Sequence, residues 1–514
     1  MQNNIQKQKL VIIIGAGLAS LASAILLAKK GFKVTVYDKN EMIGGRASLI
    51  VSDSPKGKFI FDKGPSWYMM PDVFEDFFSI LGEDVHAYLD LKKLAPSYKI
   101  FQQGGKPSYN FFGDIQKNKE TFESLENGSG AVLEKFLEQT KYQYNIAKNE
   151  FMYKNVDSIF DFFNKRVMTL GRELPLFQKQ SSIINKLFKN ELLQKVMQYQ
   201  TVLLGTSPYD TPGIYTLMNY VDFGLGVWYP TGGIYEIPKA LGVIGEKYGV
   251  KFHTNTPVQR IIVENGIATG VVLDDETKVN ADIIISNADY EHTEMQLLEK
   301  QYRTHSQKWW DKRTLAPSAF ILYLGIDGVL PTLSHHNLFF PDNWKENFDT
   351  IFKKPQWPEY PAFYICNPSK TDTTIAPEGT ENLFILVPIA SGLDTSTVGK
   401  EAYANKIIDM IAHECGIPDL DKRILVKELY SVEDFKTDYN AFKGTALGLA
   451  HTLSQTSILR PNNISKKVKN LYFTGAGTNP GIGMPVCLIS AELVYKRIMG
   501  ITHPHPLTKE DLEN

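Results

Sequence analysis

The first forty residues alternate apolar runs with short polar breaks. Residues 11–14 are continuously apolar, which is typical of a buried strand. From residue 18 to 30 apolar side chains recur at helical spacing and Gly31 follows as a stop signal, so the pattern predicts a helix. Residues 32–38 alternate and are β-branched, which predicts a second strand. The predicted order is strand, turn, helix, strand.

Further along the chain the periodicity changes several times. A strand is predicted at 59–61, and Pro71 is expected to open a helix over 71–82. Residues 115–200 have a helical pattern with few strand signals. Short strands are predicted from 239 to 289, with hairpin turns at 264–266 and 274–275. The remaining predictions are strands at 319–327 and 382–390, a helix near 402–415, and a loose tail at 508–514.

The composition excludes several classes of protein. The chain has 514 residues, 43% of them hydrophobic, so a large globular core is expected. Its 55 basic and 57 acidic residues give a net charge of −2, which offers no excess of either sign for nucleic acid or for a polybasic membrane anchor. Residues 10–28 are uncharged, but Gly15 and Gly17 interrupt any spanning helix there. We therefore expect a soluble or peripheral protein.

Cysteine and histidine usage favours neither disulfides nor a metal site. Cys366, Cys415 and Cys487 are odd in number and far apart, which suits a reducing cytosol. The pair His335–His336 lacks nearby ligand partners. No metal is expected.

Candidate chemistry begins in the turn between the first predicted strand and helix. Gly15 permits a tight turn, and Gly17 lets the backbone approach a pyrophosphate at the helix N-terminus. Ser20 stands where Gly or Ala is usual, at a position that only has to be small. Asp38, 21 residues beyond Gly17, ends the next strand and is suited to accept hydrogen bonds from ribose hydroxyls. The spacing predicts dinucleotide binding.

Two further glycine-rich segments narrow this prediction. Gly44 and Gly45 would bring backbone close to a ligand, and Arg46 is suited to pair with a phosphate, although a surface loop with a solvated arginine is the alternative. The second segment, TGAGTNPGIGMP, lies over 400 residues later, between a predicted strand and helix. It would close around the other half of the dinucleotide, or it is a plain helix-entry loop. The loop of Gly44–Arg46 just after the acid resembles the one that two-dinucleotide-binding flavoproteins carry and nicotinamide dehydrogenases do not need, and this resemblance favours FAD over NAD.

The chain from residue 11 to about 498 resembles bacterial/fungal-type phytoene desaturases, the carotenoid-desaturating branch of the FAD amine-oxidase superfamily. The segments that carry the resemblance are GAGLASLASAILLAKKGFKVTVYDKNEMIGGRA, FDKGPSWYMMPDVF, TSPYDTPGIYTLMNYVDFGLGVWYPTGGI, ADIIISNAD, NPSKTDTTIAPEG and LYFTGAGTNPGIGMPVCLIS.

The resemblance implies an α/β fold with two domains. A Rossmann-type, two-dinucleotide-binding FAD domain would comprise 1–100, 230–295 and 460–500. A mixed-sheet and helical substrate-binding domain, with a helical lid and a membrane-proximal helical region, would comprise 101–229 and 296–459. Residues 501–514 would form a C-terminal tail.

The resemblance also implies a set of residues that contact FAD. The diphosphate, ribose, ribityl, isoalloxazine and adenine contacts would come from Gly15, Gly17, Ser20, Asp38, Lys39, Gly44, Gly45, Arg46, Gly64, Pro65, Ser66, Val258, Asn287, Gly475, Gly477, Gly483, Met484 and Pro485.

The implied reaction is desaturation of phytoene or a close relative, with quinone or oxygen as electron acceptor. A hydride leaves an apolar C–H, and the adjacent C–H becomes acidic enough for a weak base, so the protein mainly positions the substrate and excludes water. Asp289 and Asp210 are candidate bases by location alone, and a structural turn is the alternative for Asp289.

Three sibling reactions and one non-enzymatic function remain open. The siblings are C30 diapophytoene desaturation, carotenoid 3,4-desaturation and poly-cis isomerisation; the other alternative is a non-catalytic relative resembling GDP-dissociation inhibitors.

One segment bears on how a membrane substrate is collected. Six apolar residues at helical spacing would form either an interfacial helix for peripheral membrane binding or a helix packed on the core: Ile183, Ile184, Leu187, Phe188, Leu192 and Met197.

Overall fold

The structure is a computed structural model that describes residues 8–158, 174–175 and 178–513. Its strands are β1 (Leu10–Ile14), β2 (Lys33–Tyr37), β3 (Leu49–Ser54), β4 (Gly57–Asp62), β5 (Leu91–Lys93), β6 (Tyr98–Gln102), β7 (Lys106–Phe111), β8 (Trp228–Pro230), β9 (Lys251–His253), β10 (Val258–Glu264), β11 (Ile267–Leu273), β12 (Lys278–Asn280), β13 (Ile283–Ser286), β14 (Ser318–Asp327), β15 (His336–Phe340), β16 (Phe363–Cys366), β17 (Thr380–Ile389), β18 (Ile424–Tyr430) and β19 (Leu471–Phe473).

Within these described ranges the α-helices of five or more residues are α1 (Leu18–Lys29), α2 (Pro71–Leu81), α3 (Ile115–Leu125), α4 (Ser129–Ile146), α5 (Gln180–Leu187), α6 (Glu191–Val196), α7 (Glu236–Lys247), α8 (Gln307–Asp311), α9 (Trp344–Phe352), α10 (Lys400–Glu414), α11 (Val432–Tyr439), α12 (Met484–Met499) and α13 (Lys509–Glu513).

A five-stranded parallel sheet carries the predicted βαβ unit. Its strand order is β19-β13-β1-β2-β9. Helix α1 is buried from Leu18 to Ala28 because its small and aliphatic side chains pack on this sheet and against α7 and α12. The uncharged run 10–28 is therefore a buried strand, a turn and a buried helix.

The parallel arrangement brings distant residues to one edge. The carboxyl ends of parallel strands meet, and ligands of open α/β sheets bind there. Gly15 follows β1, Asp38 follows β2, Asn287 follows β13 and Thr474 follows β19. Four segments spread over the whole chain thus converge at this edge.

A second, seven-stranded sheet has the order β18-β14-β17-β16-β15-β6-β7. It contains the predicted strands of 319–327 and 382–390, which pair antiparallel as β14 and β17. Helix α10 covers one face of this sheet, with Ile407, Ile408 and Ile411 in the core. The domain boundaries implied by the resemblance stay a prediction; the one at residue 100 falls inside β6.

Several local predictions are confirmed. Pro71 opens α2, and both hairpin turns are present in the three-stranded sheet β10-β11-β12. Asn265 and Gly266 have φ angles of 50° and 76°, as a tight hairpin turn requires.

Two other predictions are wrong. Residues 236–247 form α7, not the start of a strand region. Ile237, Leu241 and Ile244 recur at helical spacing and pack in the hydrophobic core beside α1 and the five-stranded sheet. The tail is not loose: α13 docks through Leu512, and Tyr495 Oη donates to the carbonyl of Asp511 at 3.0 Å.

The apolar residues of 183–197 do not lie on one helix. The chain leaves α5 at Phe188, and the Asn190 side chain caps the start of α6. Phe188, Leu192 and Met197 are buried in a cluster with Phe122, so this segment packs on the core. Among the described residues, no helix combines the length and apolar character needed to cross a bilayer.

Candidate functional site

The first glycine turn presents an uncapped helix N-terminus. Gly15 has a φ of +88°, and its N–H donates to the carbonyl of Tyr37 at 2.7 Å. Gly17 caps α1 without a side-chain hydrogen bond, and the first turn of the helix holds no acidic residue. The free N–H groups and the positive end of the helix dipole therefore face the sheet edge, where they suit an anion. Ser20 is fully buried in α1.

Asp38 is held against this turn. It is buried, and its Oδ2 accepts from the Ala16 N–H at 2.6 Å while Oδ1 accepts from the Asn40 N–H at 2.7 Å. Burial raises the pKa of Asp38, and the two backbone hydrogen bonds partly offset that effect. Each carboxylate oxygen keeps a further lone pair for a ribose hydroxyl.

The loop with Arg46 lies directly on the glycine turn. The Gly44 N–H donates to the carbonyl of Ala16 at 2.7 Å, and a Cβ on Gly64 would lie 2.6 Å from the Arg46 carbonyl oxygen. Arg46 places its guanidinium 5.1 Å from the centre of the Tyr439 ring, and its Nε is buried without a hydrogen-bond partner. A buried guanidinium N–H without an acceptor indicates that an anionic ligand completes the site.

The second glycine turn meets the first through Asn287. A Cβ on Gly17 would lie 2.4 Å from Asn287 Oδ1, and one on Gly475 would lie 2.3 Å from Asn287 Nδ2. Asn287 Nδ2 donates to the carbonyl of Thr474 at 2.8 Å. The structure thus brings together two turns that are more than 400 residues apart in sequence.

The rest of the second turn leads into α12. Gly477 has the backbone and Cβ of Tyr290 as neighbours, Gly483 caps α12, and Met484 and Pro485 form its first turn. Arg46 lies close enough to lower the pKa values of Cys487 in this helix and of Asp289, although burial raises both overall. The start of α12 therefore borders the same space as Arg46.

Arg460, which the sequence motifs do not reveal, stabilises this turn through hydrogen bonds to its backbone. It is 3% exposed and donates to the carbonyls of Ala476 at 2.6 Å and Thr478 at 3.0 Å. It also reaches the carbonyls of Leu449 and Gln455. Burial lowers the pKa of Arg460 to about 10. Its hydrogen bonds to backbone oxygens make it a positioning residue.

The loop after β4 connects the glycine turns to the seven-stranded sheet. Ser66, two residues beyond Gly64, lies 2.9 Å from Tyr364 Oη, which lies 2.8 Å from His336 Nδ1. Trp67 stacks on the His336 ring with a centroid distance of 4.6 Å. These side chains form what we call the aromatic wall: Trp67, Tyr98, Tyr199, His336 and Tyr364.

A buried carboxylate, Asp222, contacts two members of the aromatic wall. Asp222 Oδ2 accepts hydrogen bonds from Tyr98 Oη at 2.9 Å, Tyr199 Oη at 2.7 Å and Gln200 Nε2 at 2.8 Å. Burial raises the pKa of Asp222 to about 6, and these three donors limit the rise. Asp222 lies in one of the segments that carry the family resemblance, but nothing in that segment marks it as a buried hydrogen-bond acceptor.

The candidate bases have different surroundings. Asp289 accepts from the His292 N–H at 3.2 Å and the Phe442 N–H at 3.3 Å, so its carboxylate caps a turn. Burial raises its pKa. Asp210 is partly exposed and lies 3.4 Å from Lys179 Nζ. None of the described contacts of Asp210 is with the two glycine turns.

Two further candidates lie at the periphery. Lys39 Nζ donates to Thr437 and Asn440, so that this side chain turns towards α11. Val258 begins β10 and is half-buried.

The residues present fit a dinucleotide. The uncapped N-terminus of α1 and the unpartnered Arg46 Nε suit a diphosphate, and Asp38 suits a ribose. The glycines at 17, 64 and 475 let Asn287 and the Arg46 carbonyl approach the backbone closely, so that the two turns and the Arg46 loop can meet at this edge. FAD carries both a diphosphate and a ribose.

Comparisons with known proteins identify the family. The family model described as flavin containing amine oxidoreductase matches residues 18–499. The chain is 43% identical over 484 residues to a carotenoid 3,4-desaturase of Haloarcula japonica, covering 94% of this chain and 96% of that one. It is 34% identical to a zeta-carotene-forming phytoene desaturase of Myxococcus xanthus, covering 96% and 94%. A 4,4'-diapophytoene desaturase of Staphylococcus aureus is 30% identical, with 95% and 98% covered.

Solved structures show the fold. An engineered putrescine oxidase matches with a TM-score of 0.62 at 14% identity, covering 96% of this chain and 99% of that one. A RAB GDI from Plasmodium falciparum matches with a TM-score of 0.55 at 13% identity, covering 98% and 99%. The fold alone therefore does not separate an oxidase from a GDP-dissociation inhibitor, whereas the family model and the desaturase relatives do. The chain belongs to the flavin-containing amine oxidoreductases, in their carotenoid desaturase branch, and is an FAD-dependent oxidoreductase of the phytoene desaturase type.

Proposed function

We propose that this enzyme desaturates phytoene or a closely related carotenoid precursor. The observation that carries the proposal is the position of the aromatic wall. It adjoins the loop of Gly64 and Ser66, which packs on Arg46 at the cofactor cradle. The aromatic side chains of this wall, most of them buried beside the cradle, suit a long polyene, which offers no polar group for recognition.

The chain's own residues mainly bind, orient and exclude water. When bound, FAD supplies an acceptor for a hydride. The two glycine turns and Arg46 would fix its diphosphate, and Arg460 would keep the second turn in shape. The aromatic wall would align the polyene and exclude water from the carbon that becomes electron-deficient.

Loss of the proton needs only a weak base. We propose Asp289 as the better placed of the two candidate carboxylates, because it lies within the electrostatic reach of Arg46 whereas Asp210 pairs with Lys179. Its two backbone hydrogen bonds hold the carboxylate in place. Substrate positioning, not acid–base strength, would supply most of the rate.

A second candidate reaction is 3,4-desaturation of a more unsaturated carotenoid. It is favoured by the 43% identity to the Haloarcula japonica protein. C30 diapophytoene desaturation and poly-cis isomerisation use substrates of the same apolar kind. The length and depth of the substrate channel would decide between them.

Expression in pigment-accumulating hosts tests the proposal. Separate hosts would accumulate phytoene, diapophytoene, prolycopene or lycopene, and their pigments would be separated and identified. We expect conversion of phytoene, and none with a Gly475→Ala variant that lacks a working cradle. If phytoene stayed unchanged and another pigment were converted, that pigment would be the substrate in place of phytoene. Protein that takes up no FAD would contradict every enzymatic alternative.

We propose that the protein is cytoplasmic and binds the membrane peripherally, since its substrate resides there. Two leucines of one loop, Leu453 and Leu459, are 51% and 55% exposed and suit such a contact. Flotation with liposomes tests this, with a Leu453→Ser/Leu459→Ser variant expected to float less. Quinone and oxygen are the candidate electron acceptors, and reoxidation rates measured with each would separate them.

A further inference from the structure

Two histidines and a cysteine that are far apart in sequence meet in the core. His335 and His336 stand at the start of β15, and Cys366 ends β16, where it is the antiparallel partner of His336. All three side chains are at most 5% exposed. One ring nitrogen of each histidine and the sulfur of Cys366 lie within 4.8 Å of one another. The expectation that His335–His336 lacks nearby ligand partners is therefore wrong.

Both imidazoles are oriented and incompletely bonded. His335 Nδ1 lies 2.8 Å from Thr371 Oγ1, and His336 Nδ1 lies 2.8 Å from Tyr364 Oη. The Nε2 atom of each ring is buried without a hydrogen-bond partner. A buried polar atom without a partner costs about 1–3 kcal/mol. Histidine ligands of metals commonly have this arrangement, with one nitrogen fixed by a neighbouring group and the other free to coordinate.

The charges around the cluster favour a cation. Asp62 acts electrostatically on Cys366, and Asp372 acts on His335. Within the described ranges, neither carboxylate forms a salt bridge with a lysine or arginine. Their hydrogen bonds come from neutral donors: Ile234 N–H for Asp62, and Tyr229 Oη, Gly232 N–H, Thr374 N–H and Thr374 Oγ1 for Asp372. Of the two carboxylates, Asp372 carries its charge without a cationic partner and would offset part of the charge of a buried divalent ion.

We infer that His335, His336 and Cys366 form a binding site for a zinc ion. Two imidazoles and one thiolate are ligands that Zn²⁺ prefers, with bonds of about 2.0–2.1 Å to nitrogen and about 2.3 Å to sulfur. The three donor atoms must approach one another by about 1 Å to reach that geometry. The Cys366 thiol loses its proton on binding, and three protein ligands leave a fourth position for water.

A zinc ion here would stiffen the aromatic wall. His336 lies between Trp67 and Tyr364, and Tyr364 continues to Ser66 at the cofactor cradle. An ion that holds the His336 ring in place would also restrict the positions of these neighbouring side chains. The site itself does not depend on the proposed substrate, so zinc binding and carotenoid conversion can fail separately.

Metal analysis and cobalt substitution of the FAD-loaded, tag-free enzyme test the inference. We expect about one zinc per chain after growth with added zinc. Cobalt should replace it and give d–d absorption in the red, where oxidised flavin does not absorb. Cys366→Ser and His336→Gln should lose the stoichiometric metal. Cys415→Ser is the matched control, because Cys415 is equally buried but packs in the core beneath α10.

Three results would overturn the inference. The first is FAD-loaded wild-type enzyme that contains no zinc and gives no cobalt spectrum. The second is a Cys366→Ser variant that keeps both. The third is equal metal loss in Cys415→Ser. The cobalt titration of wild-type enzyme decides the matter even if a variant fails to fold.

Discussion

Asn287 donates its side-chain amide to the carbonyl oxygen of Thr474 at 2.8 Å, and the same amide fills the space between Gly17 and Gly475. One side chain at the end of β13 therefore sets the distance between two backbone turns. This explains why alanine would be too large at either glycine.

Because Gly17 and Asn287 are in contact, substitutions at the two positions should have coupled effects on the free energy of unfolding. Gly17→Ala places a Cβ 2.4 Å from Asn287 Oδ1, so we expect it to destabilise the cofactor-free protein by about 1–3 kcal/mol. In an Asn287→Ala background most of this cost should vanish. Urea unfolding of the four proteins measures the coupling, and the single variants serve as the internal controls of the cycle. Equal costs in both backgrounds would show that the contact is unimportant.

Replacing Arg46 should weaken cofactor binding strongly and change the stability of the cofactor-free protein little. Arg46→Ala removes a donor from the diphosphate site, so the Kd for FAD should rise about 10- to 100-fold. The cofactor-free variant should lose little stability, about 0.5–1 kcal/mol, because the buried Nε has no partner to lose and only the contact with the Tyr439 ring is removed. Fluorescence titration with FAD and thermal unfolding measure the two quantities. Arg313→Ala is the control, since Arg313 stacks on Trp309 away from the cradle; a variant that keeps its FAD affinity would exclude the assigned role.

Arg460 should affect both quantities in the same direction. Arg460→Met leaves four carbonyl oxygens without their donor, so we expect a loss of about 3–5 kcal/mol in unfolding free energy and weaker FAD binding. Arg460→Lys should recover part of each. Arg423→Ala removes hydrogen bonds to the carbonyls of Asp327 and Val329 and should leave FAD affinity unchanged. Normal FAD affinity in Arg460→Met would refute the positioning role.

The raised pKa of Asp222 should make the folded protein less stable as pH rises. Its folded-state pKa of about 6 exceeds the ordinary value of 3.8, so its contribution to stability is present below pH 3.8 and is lost as pH rises through 6. The full loss is about 3 kcal/mol at neutral pH. In Asp222→Asn this loss disappears, and the variant should gain stability relative to wild type between pH 4 and 7. Denaturant unfolding across this range measures the difference; parallel curves would mean that Asp222 does not titrate in this way.

The sequence predicts those parts of the site whose residues lie close together in the chain and follow a recognisable motif. Gly15, Gly17 and Asp38 are recognisable because strand, turn, helix and acid must follow at fixed spacing. The bounds of α1, α2, β14 and β17 follow from periodicity for the same reason.

The missed residues depend on long-range contacts. Arg460 acts on carbonyls that no pattern marks, and Asp222 acquires its surroundings from Tyr98, which is over 100 residues away. The pairing of β15 with β16 places Cys366 beside His336, and only the sheet register shows this. The prediction of a loose tail at 508–514 is wrong because the polar composition of this segment conceals one buried side chain, Leu512.

The most direct test of the account follows flavin and carotenoid together without oxygen. Purified FAD-loaded enzyme is mixed anaerobically with phytoene in liposomes while flavin absorbance is recorded, and the carotenoids are then extracted and identified. We predict bleaching of the oxidised flavin with about one new double bond per flavin reduced in a single turnover. Flavin that stays oxidised with phytoene and with each of the related carotenoids, in protein that binds FAD normally, would contradict the central claim.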